Sequence, residues 1–88
     1  MYYINNKEYI ELELLYNNLH DLNFKDISNK KKKLLKYKNK MIMENLTINY
    51  NLSYSIIYTI LYLSEDERFK DYKFNKLLES KNIKVINI

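Results

Sequence analysis

The residues best suited to chemistry lie in NYNLSYSIIYTILYLS, residues 49–64, where tyrosines recur at every fourth position. On a helix, Tyr54, Tyr58 and Tyr62 would form a stripe of about 80°. Tyrosine combines an apolar ring with a polar hydroxyl, so this stripe can contact DNA phosphates, thymine methyl groups or another protein. The predicted contact residues are Ser53, Tyr54, Ser55, Tyr58, Thr59 and Tyr62.

The adjacent side of the same helix is aliphatic. Ile56, Ile57, Ile60 and Leu61 span one broad side, which makes the helix apolar over most of its circumference. Three interpretations remain open: a central core helix, a nucleic-acid-binding face or a protein interface.

A second chemical feature is a run of lysines before this helix. Seven lysines fall within 11 residues: Lys30, Lys31, Lys32, Lys33, Lys36, Lys38 and Lys40. The acidic residues lie mainly elsewhere, near the start and at residues 65–71, and the formal net charge is +4. This segregation favours a basic patch for an anionic partner. A solvated helix face in a lysine-rich chain is the alternative.

The residues needed for catalysis or metal binding are scarce. The chain has no cysteine and a single histidine, His20, which excludes thiolate sites and histidine pairs. It has no phosphate-binding or dinucleotide-binding glycine loop, because it contains no glycine. We therefore predict no catalytic residues, no metal, no cofactor and no enzymatic activity.

The length of 88 residues predicts a single domain, 1–88, with a thin core. The N-terminus, MYYINNKEYI, lacks the pattern of a signal peptide. The longest apolar-rich run, Ile56–Leu63, is too short to span a bilayer. These features predict a cytoplasmic protein that does not bind membranes.

The predicted fold is mainly α (α+β), a compact helical domain with a small β-sheet. Residues 2–4 and 7–10 suggest an N-terminal hairpin around Asn5-Asn6, and the competing interpretation starts a helix at about Asn6. Apolar spacing predicts helices at about 9–20, 29–39 and 41–49. Ser28 would cap the second helix, whose first-turn lysines oppose the helix dipole; an anionic partner could offset that cost.

Capping residues and β-branched residues predict the elements of the second half of the chain. Ser53 would cap the tyrosine helix, and Ser64 with Glu67 forms a capping-box pattern for a further helix in two pieces, broken near Asp71. The β-branched tail predicts a strand at about 83–87 that pairs with the N-terminal strands.

Residues 46–61, LTINYNLSYSIIYTIL, resemble a helix-turn-helix DNA-binding domain, and the resemblance extends over about residues 42–63. Leu46 and Tyr50 match apolar positions before the turn, and Asn51 stands where that family often has glycine. Leu52 is the buried residue after the turn, and Ser53 caps the second helix. The buried positions of that helix are Ile57 and Leu61. The resemblance implies a helix-turn-helix core whose second helix approaches DNA.

The first functional hypothesis is a small regulatory DNA-binding protein of this kind. The tyrosine helix would approach the major groove while the lysines contact phosphates. A homodimer is expected, because one module this small buries little surface on DNA. After Ser53 the helix has no Arg, Lys, Asn or Gln, the residues that read base edges bidentately, so sequence discrimination should be poor.

The second hypothesis is an inhibitor encoded by a phage or mobile element. Such a protein would bind a nucleic-acid-binding host defence protein in the host cytoplasm, as anti-CRISPR proteins do. The tyrosine surface suits a protein contact, and the lysine patch could occupy part of the target's nucleic-acid path. The acidic residues 65–71 could locally imitate DNA phosphates.

Overall fold

The computed structural model describes residues 2–87. The elements are β1 (Tyr2–Asn5), α1 (Asn6–Phe24), α2 (Asn29–Ile48), α3 (Tyr54–Glu65), a 3₁₀ turn (Glu67–Phe69), α4 (Phe74–Ser80) and β2 (Ile83–Ile86). The predicted mainly α (α+β) fold with a small sheet is confirmed. Among the described helices, none has both the length and the apolar character needed to cross a membrane.

Residues 2–10 form one strand and the start of α1 and no hairpin, so the predicted Asn5-Asn6 turn is wrong and the competing interpretation is right. Asn5 ends β1 and caps α1, because its side chain accepts the Glu8 N–H at 2.8 Å. The Glu8 carboxylate in turn accepts the Asn5 N–H at 2.9 Å. This reciprocal capping box satisfies two backbone donors, which the weak Asn-Asn turn would not do.

Helix α1 lies at the centre and packs against both α2 and α3. Its Leu12 and Leu15 side chains are fully buried. The core that forms around them draws on every other helix and both strands: Ile4, Tyr16, Ile42, Leu46, Leu52, Ile56, Ile57, Ile60, Leu63, Phe74, Leu77, Leu78 and Ile83. The three long helices thus share one hydrophobic core.

Helix α2 is continuous from Asn29 to Ile48, which corrects the prediction of two helices at about 29–39 and 41–49. The buried positions Leu35, Asn39, Ile42 and Leu46 keep the spacing of a single helix face across the expected break. No glycine or proline interrupts this spacing. The predicted cap is confirmed: Ser28 accepts the Lys31 N–H at 3.2 Å.

The segment after α3 forms two helical pieces, as predicted, but Ser64 does not start the first one. Ser64 lies inside α3, where it is buried and its hydroxyl donates to the Leu61 carbonyl. Asp66 caps the 3₁₀ turn instead and accepts the Arg68 N–H at 3.0 Å. The apolar contacts that continue to Leu63 extend α3 past the expected cap.

Helix α1 also fixes the segment that follows α3. The Tyr16 hydroxyl donates to two backbone carbonyls of this segment. It lies 3.2 Å from the Phe69 carbonyl oxygen and 3.1 Å from the Tyr72 carbonyl oxygen. The His20 ring nitrogen donates to the Lys70 carbonyl at 2.6 Å. Burial raises the pKa of Tyr16, so its hydroxyl stays protonated and available as a donor.

The sheet joins the two ends of the described chain. Strands β1 and β2 are parallel, with Tyr2 opposite Ile83 and Ile4 opposite Val85. Asn82 precedes β2 with φ of 55°, a left-handed conformation that asparagine tolerates after a helix. Ile4 and Ile83 face the core. The predicted pairing of the two terminal strands is confirmed.

Candidate nucleic-acid interface

Helix α3 has two distinct faces, and the tyrosines form the exposed one. Tyr54, Tyr58 and Tyr62 are 61%, 51% and 73% exposed, whereas Ile57 and Ile60 are fully buried. The rings of Tyr54 and Tyr58 stack with centroids 6.2 Å apart. The structure thus places the isoleucines in the core and leaves the tyrosine stripe, with its hydroxyl groups, in contact with solvent.

The small hydroxyl residues predicted beside the tyrosines mostly serve the helix itself. Ser53 caps α3 by accepting the Ser55 N–H at 3.2 Å, and the two serine hydroxyls are 2.8 Å apart. Thr59 donates its hydroxyl proton to the Ser55 carbonyl at 2.8 Å. The hydroxyl oxygens of Ser53, Ser55 and Thr59 can still accept hydrogen bonds, but the tyrosine hydroxyls are better placed to donate one to a phosphate.

The seven lysines all lie on α2 but do not form one face. At 100° per residue, Lys33, Lys36 and Lys40 fall within about 60° of one another. Lys31 and Lys38 fall on the other side of the exposed surface, about 140° or more from all three. Lys32 lies about 40° from Lys36, beside the first group, and Lys30 lies between the two groups. The basic charge is therefore spread around the exposed surface of α2, and only part of it adjoins α3.

A groove between the helices brings part of the lysine run to the tyrosine stripe. Its lining is mostly apolar and comes from three helices: Leu19, Leu22, Lys36, Asn39, Lys40, Met43, Glu44, Thr47 and Tyr54. Lys36 and Lys40 thus border the groove that Tyr54 closes from α3. The structure joins these two predicted sites at this point, while Lys31 and Lys38 point away from it.

The connection between α2 and α3 sets the direction of the tyrosine face. Asn51 has φ of 53°, the left-handed conformation in which asparagine is tolerated better than most residues. The Leu52 N–H donates to the Leu46 carbonyl at 2.8 Å, and the Leu52 side chain is buried. This tight turn lets α3 bury its isoleucines against α1 while the tyrosines face outward.

The acidic segment that follows α3 is partly neutralised by its own arginine. The Arg68 guanidinium contacts the Asp66 carboxylate at 2.7 Å. Hydrogen bonds from the Arg68 side chain hold the pKa of Asp66 below its ordinary value. An Asp66 carboxylate already paired in this way is a poor imitation of a DNA phosphate.

Sequence reasoning did not identify the interhelical groove, because Leu19, Leu22 and Met43 have no chemical signature of their own. Its members come from three helices, and only packing brings them together.

In residues 2–87, no three His, Asp or Glu side chains are grouped so that they could hold a metal ion.

Comparisons with known proteins give no match: no family model, no curated protein and no solved structure is significantly similar to this chain. The function must therefore be inferred from the residues of the chain and their arrangement.

Proposed function

We propose that this chain is a small, non-enzymatic, regulatory DNA-binding protein of the helix-turn-helix kind. The outer face of α3 contacts the DNA, and Lys36 and Lys40 bind phosphates beside it. The observation that supports this proposal is the groove in which these two lysines meet Tyr54. Because a single module this small buries little DNA surface, we expect two copies to bind together.

The chemistry of the α3 face determines how the DNA is read. Tyrosine hydroxyls donate to phosphate oxygens, and tyrosine rings pack on sugars and thymine methyl groups. Residues 54–64 of α3 carry no charged side chain and no amide to read base edges bidentately. We therefore expect duplexes of unrelated sequence to bind with similar affinity, and the affinity to fall steeply with salt.

The test is fluorescence anisotropy of a labelled duplex, titrated with protein at several salt concentrations. Lys36→Gln with Lys40→Gln should weaken binding at low salt and should reduce the slope of log K against log salt by roughly 2. Tyr58→Ala should weaken binding at all salt concentrations, with circular dichroism showing an unchanged fold.

The matched control is Lys31→Gln with Lys38→Gln, which removes the same charge from the other side of α2. We expect this variant to retain most of the wild-type affinity. If both double variants lose affinity for DNA equally, the lysines on all sides of α2 attract DNA and binding is not confined to the α3 side. If wild-type protein binds no duplex even at low salt, the proposal is wrong.

A second candidate function is favoured by the mostly apolar lining of the same groove. Protein interfaces use such apolar surfaces with tyrosine at their centre more than DNA interfaces do. The chain would then be an anti-CRISPR-like inhibitor from a phage or mobile element that binds a host defence protein. A host protein captured by wild-type chain but not by Tyr58→Ala, together with absent DNA binding, would replace the first proposal by this one.

A further inference from the structure

The outer face of α2 carries a row of exposed apolar side chains that the DNA-binding proposal does not use. Leu34, Tyr37, Met41 and Ile48 are 51%, 63%, 54% and 76% exposed. They fall within about 60° on the helix, so they form one straight stripe. From Leu34 to Ile48 the stripe is about 21 Å long at 1.5 Å per residue. We call these four residues the α2 stripe.

The α2 stripe is a different surface from the α3 face. It lies about 100° around α2 from Lys36 and Lys40, the lysines that border the tyrosine groove. On its other side it continues onto α1, because Leu14 and Met41 line a common shallow hollow. Leu14 is itself about half exposed. An apolar surface of this extent, spread over two helices, is typical of an interaction site.

The spacing of the α2 stripe identifies the shape of its partner. Leu34, Tyr37 and Met41 follow steps of three and four, and Ile48 follows Met41 by seven. Leu34, Met41 and Ile48 are a positions of a heptad repeat and Tyr37 is a d position, while Glu44 occupies the second d position. This is the pattern by which one helix packs lengthwise on another. The stripe is therefore suited to a helix of about four turns, lying along α2.

The flanking charges identify the chemistry of that partner. In the same heptad, Lys33 and Lys40 occupy g positions and Lys38 an e position, where charges decide which helices pair. In the described chain, the two salt bridges, Lys25–Asp21 and Arg68–Asp66, involve none of these lysines. Their charges remain available to acidic residues that border the apolar seam of a partner.

A second copy of the chain fits this surface poorly. Glu44 is the only acidic residue in α2. Two copies paired in parallel would set lysine against lysine along the seam, and like charges across such a seam disfavour pairing. Two antiparallel copies would set the lysine-rich half against residues 41–48, which offer that single carboxylate.

We propose that the α2 stripe docks an acidic amphipathic helix of another protein. The partner helix carries apolar side chains at a and d positions that pack on Leu34, Tyr37 and Met41. Its Glu or Asp residues at the flanking positions pair with Lys33, Lys38 and Lys40. This site shares Lys40 with the DNA-binding proposal, but its apolar contacts, Leu34, Tyr37 and Met41, take no part in that proposal.

The test uses three labelled synthetic peptides of about four helical turns. One has Leu at the a and d positions and Glu at the e and g positions. The second has the same composition in scrambled order, and the third has Lys in place of Glu. Anisotropy titrations should show that the ordered acidic peptide binds at least tenfold more tightly than either of the others.

The variant Leu34→Glu with Met41→Glu should lower the affinity for the ordered acidic peptide more than tenfold. Both positions are exposed, so thermal unfolding followed by circular dichroism should be unchanged. The matched control is Tyr58→Glu with Tyr62→Glu, which adds the same two negative charges at exposed positions of α3 and should leave peptide binding unchanged. If the paired Glu variant fails to fold, Leu34→Ser with Met41→Ser provides the same comparison.

Three results would overturn the proposal. In the first, no peptide binds. In the second, the scrambled acidic peptide binds as well as the ordered one, which would make the attraction purely electrostatic. In the third, sedimentation shows a dimer of the free protein that Leu34→Glu with Met41→Glu dissociates, which would make the occupant a second copy. Loss of DNA binding has no bearing on these outcomes.

Discussion

Helices α2 and α3 both pack one face against α1, but they do so with different side chains. Helix α3 contributes Ile56, Ile57 and Ile60, a continuous aliphatic face. Helix α2 combines leucine and isoleucine with Asn39, whose side-chain oxygen accepts a bond from Asn18 of α1 at 2.9 Å. This Asn18–Asn39 pair is buried between the two helices.

The exposed faces differ as much as the buried ones. The outer face of α3 is uncharged from Tyr54 to Ser64, whereas that of α2 mixes lysines with the α2 stripe. The comparison indicates that α3 is held by apolar burial, while α2 gains a polar bond that fixes how it sits on α1. Substitutions in α3, at the Asn18–Asn39 pair and at the start of α2 test this difference.

The largest effect is expected from the two faces of α3. Ile57→Ala removes a fully buried side chain, and we expect a loss of about 2–5 kcal/mol in the free energy of unfolding. Tyr58→Ala, one residue later on the exposed face, should cost less than about 1 kcal/mol. Urea unfolding followed by circular dichroism measures both. Equal losses at the two positions would contradict the division of α3 into a core face and an exposed face.

The polar pair between α1 and α2 is expected to have the next largest effect. Asn18→Ala leaves the buried Asn39 amide without its partner, which should lower the free energy of unfolding by about 1–3 kcal/mol. Replacing both residues with leucine removes the unpaired group and should recover much of the loss. The same urea unfolding measures these variants. A double leucine variant less stable than Asn18→Ala would show that the Asn18–Asn39 hydrogen bond contributes more to the free energy of unfolding than the pairing of its own two amides.

The smallest effect, a gain, is expected at the start of α2. Lys31→Glu converts the Ser28 cap into a capping box, S-x-x-E, and places a negative charge at the positive end of the helix dipole. We expect a stabilisation of about 0.3–1 kcal/mol that decreases as salt is added. Lys38→Glu makes the same change in net charge at mid-helix and serves as the control. A similar gain from Lys38→Glu would assign the effect to overall charge.

Much of the fold could be predicted because its signals are local. The caps Ser28 and Ser53 mark where α2 and α3 begin, and both predictions are confirmed. The spacing of Ile56, Ile57, Ile60 and Leu61 predicted the core face of α3. The three isoleucines are buried as predicted, whereas Leu61 is only partly buried. Cap hydrogen bonds and helical periodicity involve residues within four positions of each other, so the sequence displays them directly.

The predictions of a Ser64 cap and of an Asn5-Asn6 turn were wrong because several local signals competed at those positions. Ser64 has the form of a cap, but the burial of Leu63 keeps it inside α3. Residues 5 and 6 have the form of a turn, but the Asn5–Glu8 capping box begins α1 there. In each case, a tertiary contact or a stronger cap outweighed a plausible weaker signal.

The helical class, the lysine-rich charge of α2 and the aliphatic and aromatic sides of α3 could be read from composition and from spacings of three and four residues. The packing of the helices was needed to show that the tyrosines are exposed, that Lys36 and Lys40 adjoin Tyr54, and that the α2 stripe has no partner within residues 2–87. This is because both helices have more apolar surface than α1 can cover. Which part is covered depends on how three helices pack together, and no single helix specifies that choice.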